Sequence, residues 1–197
     1  MMGITIVENT DISKWDEIQK VIYNSHAENR RNGVDIRNAH LSPKELQESL
    51  GKEGKCFIAL DGDKIVGTCS VAFQNKNCWF AKGIIAYTTL EGVLPEYKGK
   101  HIYKQLSEKR LEYIRSKGCN VIYMNVAEKN HTRRIIAKKE GFKKVAIHFN
   151  PYNPHNFITY CKWLENKPFT DIEISIRYGI SMVKLWLKCI KRKLFNK

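Results

Sequence analysis

Lys98, Gly99, Lys100 and Lys104 crowd into LPEYKGKHIYKQL, residues 94–106, where a strand-like run gives way to a helix-like one. The first turn of a helix presents backbone N–H groups that no carbonyl of the same helix can satisfy. The aligned peptide dipoles add partial positive charge at that end, and the two together make a site for phosphate or another anion. Gly99 lets a ligand approach the backbone closely, and the lysines add charge around it. The same residues also suit a lysine-rich helix start in plain contact with water. Two familiar phosphate loops are excluded, because neither GKS nor GKT occurs and GxGxxG is absent.

Other reactive side chains do not gather into sets. The six cysteines, Cys56, Cys69, Cys78, Cys119, Cys161 and Cys189, contain no CxxC pair, which argues against a zinc site. Several stand in apolar runs, as reduced core thiols do, so a reducing cytosol fits better than a disulfide scaffold. The loop histidines show neither HxxxH nor HExxH spacing, and no metal is expected.

The elements around the lysine cluster follow from periodicity. GITIVE (3–8) reads as a strand, and Asp11 or Ser13 can cap a helix through WDEIQKVIYNSH (15–26), with Trp15, Ile18, Ile22 and His26 at helical spacing. RRNGVDIRNAH (30–40) is a polar connection. SPKELQESL (42–50) is a short helix with Ser42 as cap, Pro43 in first position and Glu45 in the first turn, ended by Gly51. KCFIAL (55–60) and KIVGTCSVAF (64–73) flank DGD, a hairpin signal. CWFAKGIIAYTTLEGVL (78–94) supplies one or two further strands. GKHIYKQLSEKRLEYIRSKG (99–118) is a helix with Ile102, Leu106, Tyr113 and Ile114 inward and Gly118 as its stop. NVIYMNV (120–126) is a buried strand, and NHTRRIIAKKEG (130–141) a helix between Asn130 and Gly141. FKKVAIHF (142–149) and NFITYCKWL (156–164) pair antiparallel around NPYNPH. This order makes a layered α/β domain with a mixed sheet.

The 197 residues suit one domain with an appendage, and a hydrophobic fraction of 43% supports a real core. A net charge of +14 favours anionic partners: nucleic acid, a phosphorylated cofactor or an acidic membrane surface. The start of the chain shows no signal peptide, and no apolar stretch approaches the ~20 residues a membrane span needs. From Arg177 to Lys197 there is no acidic residue and there are seven basic ones. Ile180, Val183, Leu187, Ile190 and Leu194 fall near helical spacing there, and Leu185, Trp186 and Phe195 widen the apolar face.

VLPEYKGKHIYKQL resembles the pyrophosphate-binding motif of the GNAT superfamily of N-acetyltransferases. That motif is V-x-P, then Arg or Gln, two residues, Gly, one residue, and Gly or Ala. Val93 and Pro95 match and Lys98 stands at the Arg/Gln position. His101 and Tyr103 stand at the glycine and glycine/alanine positions, with Gly99 inside the loop. Downstream, Asn130, Lys139, Gly141 and Phe142 match the family's N-x8-K-x-G-F. The resemblance is best over roughly residues 55–144 and leaves out the C-terminal tail.

It implies an α/β (α+β) fold: a GNAT-like mixed, mostly antiparallel sheet, with splayed parallel strands 4 and 5 and helices on both faces. A domain over residues 1–165 would carry a basic amphipathic helical extension over 166–197. Acetyl-CoA is the implied co-substrate. Backbone groups near Gly92, Val93 and Leu94 would bind pantetheine, and an N–H there would polarise the thioester carbonyl. Backbone N–H groups of Lys98, Gly99, Lys100, His101, Ile102 and Tyr103 would hold the pyrophosphate. Asn130 would contact the pantetheine arm or cap its helix, and Arg133 could reach a CoA phosphate.

An amine must lose its proton before attack, and a carboxylate acting through water can take it. Strand alternation puts Tyr87, Thr89 and Glu91 on one face, with Glu91 as the candidate base, or else a carboxylate in a surface salt bridge. The tyrosine that many members carry seven residues after the asparagine is Ala137 here. Tyr123 or Tyr103 could take its place as acid, although packing also accounts for Tyr123. A thiolate of thiol pKa near ~8.5 can also leave unaided.

Members bind acceptors between the N-terminal helices and the last hairpin. Here those regions hold His26, Glu28, Asp35, His40, His148, Tyr152 and His155, suited to a small-molecule amine such as an amino sugar, amino acid or polyamine. Arg30, Arg31 and Arg37 would suit one bearing phosphate or carboxylate, and an ordinary solvated loop explains the same residues. The tail could lie on an anionic membrane or pack on the domain or a second subunit. The expected setting is cytoplasmic, with a membrane-peripheral one open. Two other functions stay in view: an acyl-CoA-binding regulator that lost catalysis, and a basic nucleic-acid-binding module. Against the second, the basic residues are dispersed and no nucleic-acid motif occurs, so no nucleic acid is expected as partner.

Overall fold

The computed structural model describes residues 3–149, 155–165 and 167–195, the last four of these by their backbone. It forms two units, divided between Asn120 and Val121. In the first, Asp11 accepts from the Ser13 N–H and opens a 3-10 turn that leads into α1 (Trp15–Ser25). Trp15, Ile18, Val21 and Ile22 are its buried face, one stripe at helical spacing. The helix ends one residue before His26, which joins it to the short α2 (Ala27–Arg31). A 3-10 turn, Arg37–His40, precedes α3 (Pro43–Glu48), where Ser42 and Glu45 form a capping box.

The strands β1 (Ile4–Glu8), β2 (Lys55–Asp61), β3 (Lys64–Cys78) and β4 (Ala81–Val93) pair in that order, each antiparallel to the next. Alternation splits β2 between two cores. Cys56 and Ile58 join the residues of α1 and α3, whereas Phe57 and Ala59 meet Ile102 and Leu106 of α4 (Ile102–Ser116). Helices therefore cover both faces of this sheet. The region expected to give one or two strands after residue 78 gives one, β4, and β3 runs on through the polar Gln74–Cys78 to match it. Those residues carry no strand pattern of their own; the pairing to β4 extends them. Tyr113, expected inward, is half-buried and meets Phe57 and Phe73 edge-on. The buried position that the α4 pattern conceals is Arg110.

In the second unit, β7 (Asn156–Trp163) pairs antiparallel with β5 (Val121–Ala127) and with β6 (Lys143–Phe149). The turn between β6 and β7, with Tyr152, lies outside the described residues. Asn130 caps α5 (His131–Lys139) by accepting from the Arg133 N–H. The tail forms α6 (Asp171–Phe195), which packs on β6: Ile174 is buried and the Ile147 N–H donates to Ser181 Oγ at 3.1 Å. Among the described residues, no helix is long and apolar enough to cross a membrane.

Candidate active site

The end of β4 is irregular. Thr89 stands opposite Ser70 and Gly92 opposite Thr68, so Leu90 and Glu91 together face the single residue Cys69. This is a β-bulge, which bends a strand and re-aims its side chains. Leu90 takes φ 50°, a left-handed conformation that a non-glycine residue adopts at a cost of ~1–2 kcal/mol. Burial of its side chain in the core against α1 and α3 offsets that cost.

The bulge breaks the expected sharing of a face by Thr89 and Glu91. Thr89 Oγ1 accepts from Asn38 Nδ2 at 2.9 Å, on the side of the 3-10 turn before α3. The Glu91 carboxylate instead meets Arg110 of α4, which packs on the opposite side. One residue inserted into the alternation is enough to turn Glu91 over. No glycine at position 90 announces the insertion.

Arg110 is buried and ion-paired to Glu91, and its guanidinium also donates to the Ser70 carbonyl at 3.5 Å and to Ser107 Oγ at 3.4 Å. Burial is the largest single influence and opposes its charge, but Glu91, Cys69 and Tyr103 together outweigh it and hold the group protonated well above the ordinary arginine range. Glu91 is therefore a carboxylate in a buried pair, not in a surface one.

His26 ties the corner between α1 and α2 to the same bulge. Its Nδ1 accepts from Asn29 Nδ2 at 3.0 Å, and its ring also hydrogen-bonds the Glu91 backbone. Burial pushes its pKa below the ordinary value, and the nearby Arg30 and Lys98 push the same way, against the raising effect of Glu91. The balance favours the neutral imidazole. One residue along, a Cβ on Gly92 would lie 2.1 Å from Ser25 Oγ and 2.8 Å from Ser25 Cβ, so only glycine fits where α1 closes on β4.

After Leu94, whose N–H donates to the Val66 carbonyl, the chain makes a 3-10 turn over Pro95–Tyr97 and enters α4. Gly99 has φ 81° and His101 φ 58°. His101 thus occupies the conformation that glycine takes without strain, which is the physical reason for glycine at that motif position. No side chain caps α4 and its first turn holds no acid, in contrast to the capped starts of α3 and α5. A Cβ at Gly99 would meet nothing within 4 Å. Ile102 is buried, and Tyr103 is half-buried within electrostatic reach of Arg110, so neither side chain blocks the turn. Lys98 pairs with Glu28 at 3.0 Å, Lys104 with Glu108 at 3.8 Å, and Lys100 Nζ lies 4.5 Å from the Tyr97 ring centre. The Lys98 N–H already donates to the Pro95 carbonyl at 3.2 Å, but the residues after it fit a diphosphate: backbone donors from Gly99 onward, no acid in the first turn of α4, and cations on the rim.

Asn130 uses its side chain as a helix cap at 3.0 Å. Arg133 pairs with Glu140 at 3.1 Å, and Tyr123 is buried on β5. Ala137 is fully buried. Burial lowers the pKa of His148, whose Nδ1 lies 3.5 Å from Thr159 Oγ1. Beside α2, Asp35 and His40 pair at 2.7 Å, Tyr23 packs edge-on to His40, and Arg30 stacks 3.7 Å over the Tyr23 ring. Arg110, Asn38 and Ser25 escaped sequence reasoning. An arginine at the i+4 position of the Ile102, Leu106 stripe was the one signal for the first of them.

A model of the acetyltransferase (GNAT) family matches residues 19–142. No curated protein sequence matches the chain. In fold, it is similar to an acetyltransferase of the GNAT family from Staphylococcus aureus Mu50, with TM-score 0.65 at 19% identity over 83% of this chain and 100% of that one. It is similar to Arabidopsis thaliana NAA60, solved with a bisubstrate analogue, with TM-score 0.63 at 17% identity over 82% and 98%. The ribosomal-protein-S18-alanine N-acetyltransferase of Escherichia coli gives TM-score 0.61 at 13% identity over 85% and 99%. Such low identities carry the fold, a mixed and mostly antiparallel α/β structure, whereas the family model spans most of the chain. With a family model spanning most of the chain and the fold of these acetyltransferases around its bulged fourth strand, the chain belongs to the GNAT family of acetyltransferases and is an acyltransferase.

Proposed function

We propose that this protein transfers acetyl from acetyl-CoA directly to the amine of a small polar acceptor, such as an amino sugar, amino acid or polyamine. The observation that carries this reading is the uncapped start of α4, with the open Gly99 and no acid, set directly after the bulged end of β4. Acetyl-CoA, when bound, supplies the acetyl group as a thioester. The N–H groups from Gly99 to Tyr103 hold its diphosphate, the Lys98 N–H being taken by the Pro95 carbonyl, and the backbone at Gly92, Val93 and Leu94 receives the pantetheine arm. Asn130 keeps its helix start rigid, and Arg133 offers charge if it leaves Glu140. Glu91 is the candidate base for the proton of the ammonium acceptor, acting through water from the α4 side, where Arg110 fixes its carboxylate. Thr89, fixed by Asn38, lines the same strand end. Tyr123 is the candidate acid, and thiolate departure without an acid serves equally.

The side chains beside α2, including Asp35, His40 and Arg30, would face the acceptor. A cytoplasmic setting and an extension starting at residue 166 belong to the same proposal. Ala137 supports a second reading, an acyl-CoA-binding regulator, because the position is apolar and fully buried. Thermal shift and thiol release decide between them. Acetyl-CoA at about a hundred times its Kd adds about 2.7 kcal/mol, a rise of about 5–10 °C for a chain of this size. An enzyme then releases free thiol with at least one amine of a panel that includes a peptide. A shift without release supports the regulator, and a shift with an oligonucleotide alone refutes both.

A further inference from the structure

We propose that the outward face of α6 rests on an anionic lipid surface. The helix has two apolar stripes. Ile174, Tyr178, Ser181 and Leu185 are at least half-buried and form the side that packs on β6, where Lys144 Nζ lies 5.8 Å from the Tyr178 ring centre. Ile172, Ile176, Ile180, Val183 and Leu187 are 49–73% exposed, at the spacing 4, 4, 3, 4 of a single helix face. The two stripes are offset by two residues, about 200° around the axis, so the second points away from the first. Trp186 borders the outer stripe at 62% exposure.

Charge identifies what covers this face. Exposed Lys184, Lys188 and Lys191 run as one row along the flank of the outer stripe. The acids of α6 are Asp171 and Glu173 at its start. Asp171 is held by Lys167 at 2.8 Å and Lys143 at 3.1 Å, while Glu173 accepts from the Thr170 N–H. No acid follows Glu173 to the end of the sequence. A second copy laid parallel on this face would bring two basic rows together. A lipid surface offers hydrocarbon to the isoleucines, an interface to the tryptophan and anionic headgroups to the lysines, the arrangement in which amphipathic helices lie in a membrane plane. α6 lies outside the stretch matched by the family model, and this inference is independent of the transfer chemistry.

The test is co-sedimentation of the full chain with vesicles of phosphatidylcholine, with and without phosphatidylglycerol. Binding is expected to the anionic vesicles alone at low salt, and to weaken as salt rises. Lys184→Gln with Lys188→Gln should lower it about thirtyfold, at about fivefold per lysine. Val183→Asp should lower it more than about tenfold. These positions are off the packed stripe, and an unchanged circular dichroism spectrum and thermal midpoint verify folding. No sedimentation with anionic vesicles at low salt overturns the proposal. So does equal binding to neutral vesicles, or a concentration-dependent dimer that Val183→Asp abolishes in a chain that ignores vesicles.

Discussion

Glu91 and Arg110 set up a test in which stability and chemistry separate. Each member of a buried pair leaves the other uncompensated when removed, at a cost of about 3–5 kcal/mol, whereas replacing both by apolar groups is close to neutral. Glu91→Gln and Arg110→Met should therefore each lower the unfolding free energy by about that amount in denaturant titration. The double variant Glu91→Leu, Arg110→Met should recover most of the stability and none of the turnover. A double variant that turns over normally removes Glu91 from proton transfer. His26 gives a pH signature. Burial lowers its folded pKa, so the unfolded chain binds the proton more readily. Its contribution is whole above about 6.5, the unfolded value, and is lost as pH falls through the folded value. His26→Gln should flatten the fall in stability between neutral and mildly acid pH, with a smaller contribution of the same sign left at the partly desolvated His148. At position 101 the imidazole is exposed, and the proposed ligand contact belongs to the backbone. His101→Gly relieves a positive φ and should raise stability by up to about 1 kcal/mol, with acetyl-CoA affinity held within about threefold. A loss beyond that by calorimetry would show the ring itself touching the cofactor.

At the scale of elements, the bulge in β4 reshapes the strand end at the proposed site. α1 closes against it at Gly92, and Gly92→Ala should cost about 1–3 kcal/mol, because Ser25 must yield to a Cβ 2.1 Å away. Cofactor affinity should fall with it, since the shift is felt at the backbone expected to receive the pantetheine arm; an unchanged melting midpoint would show that the α1 end gives way freely. The elements themselves were legible because their signals are local: Ser42 with Glu45, DGD between two β-branched runs, and the isoleucine stripes of α1 and α4. The polar end of β3 was not, because pairing alone makes Gln74–Cys78 a strand. The bulge was not, because Leu90 carries the positive φ with no glycine to mark it. Arg110 was passed over because a basic residue in an apolar stripe reads as a solvent-facing one until its partner, nineteen positions away, is known.

Over the whole molecule, the lysines divide by role. Several, such as Lys98, Lys104 and Lys143, already hold a carboxylate, so the charge of +14 is dispersed as a general pull on anions. The proposed cofactor site relies on backbone amides more than on those side chains, so a turn with His101 and Tyr103 at the motif's glycine positions can still accept a diphosphate. Acetyl-CoA should accordingly weaken only modestly with rising salt. The most direct test is a titration of the isotope-labelled chain with acetyl-CoA, followed by amide resonances. The largest shifts should fall on Gly99 to Tyr103 and on Gly92 to Leu94. Saturable binding that leaves those amides unmoved, or no binding at all, would contradict a diphosphate seated on the start of α4.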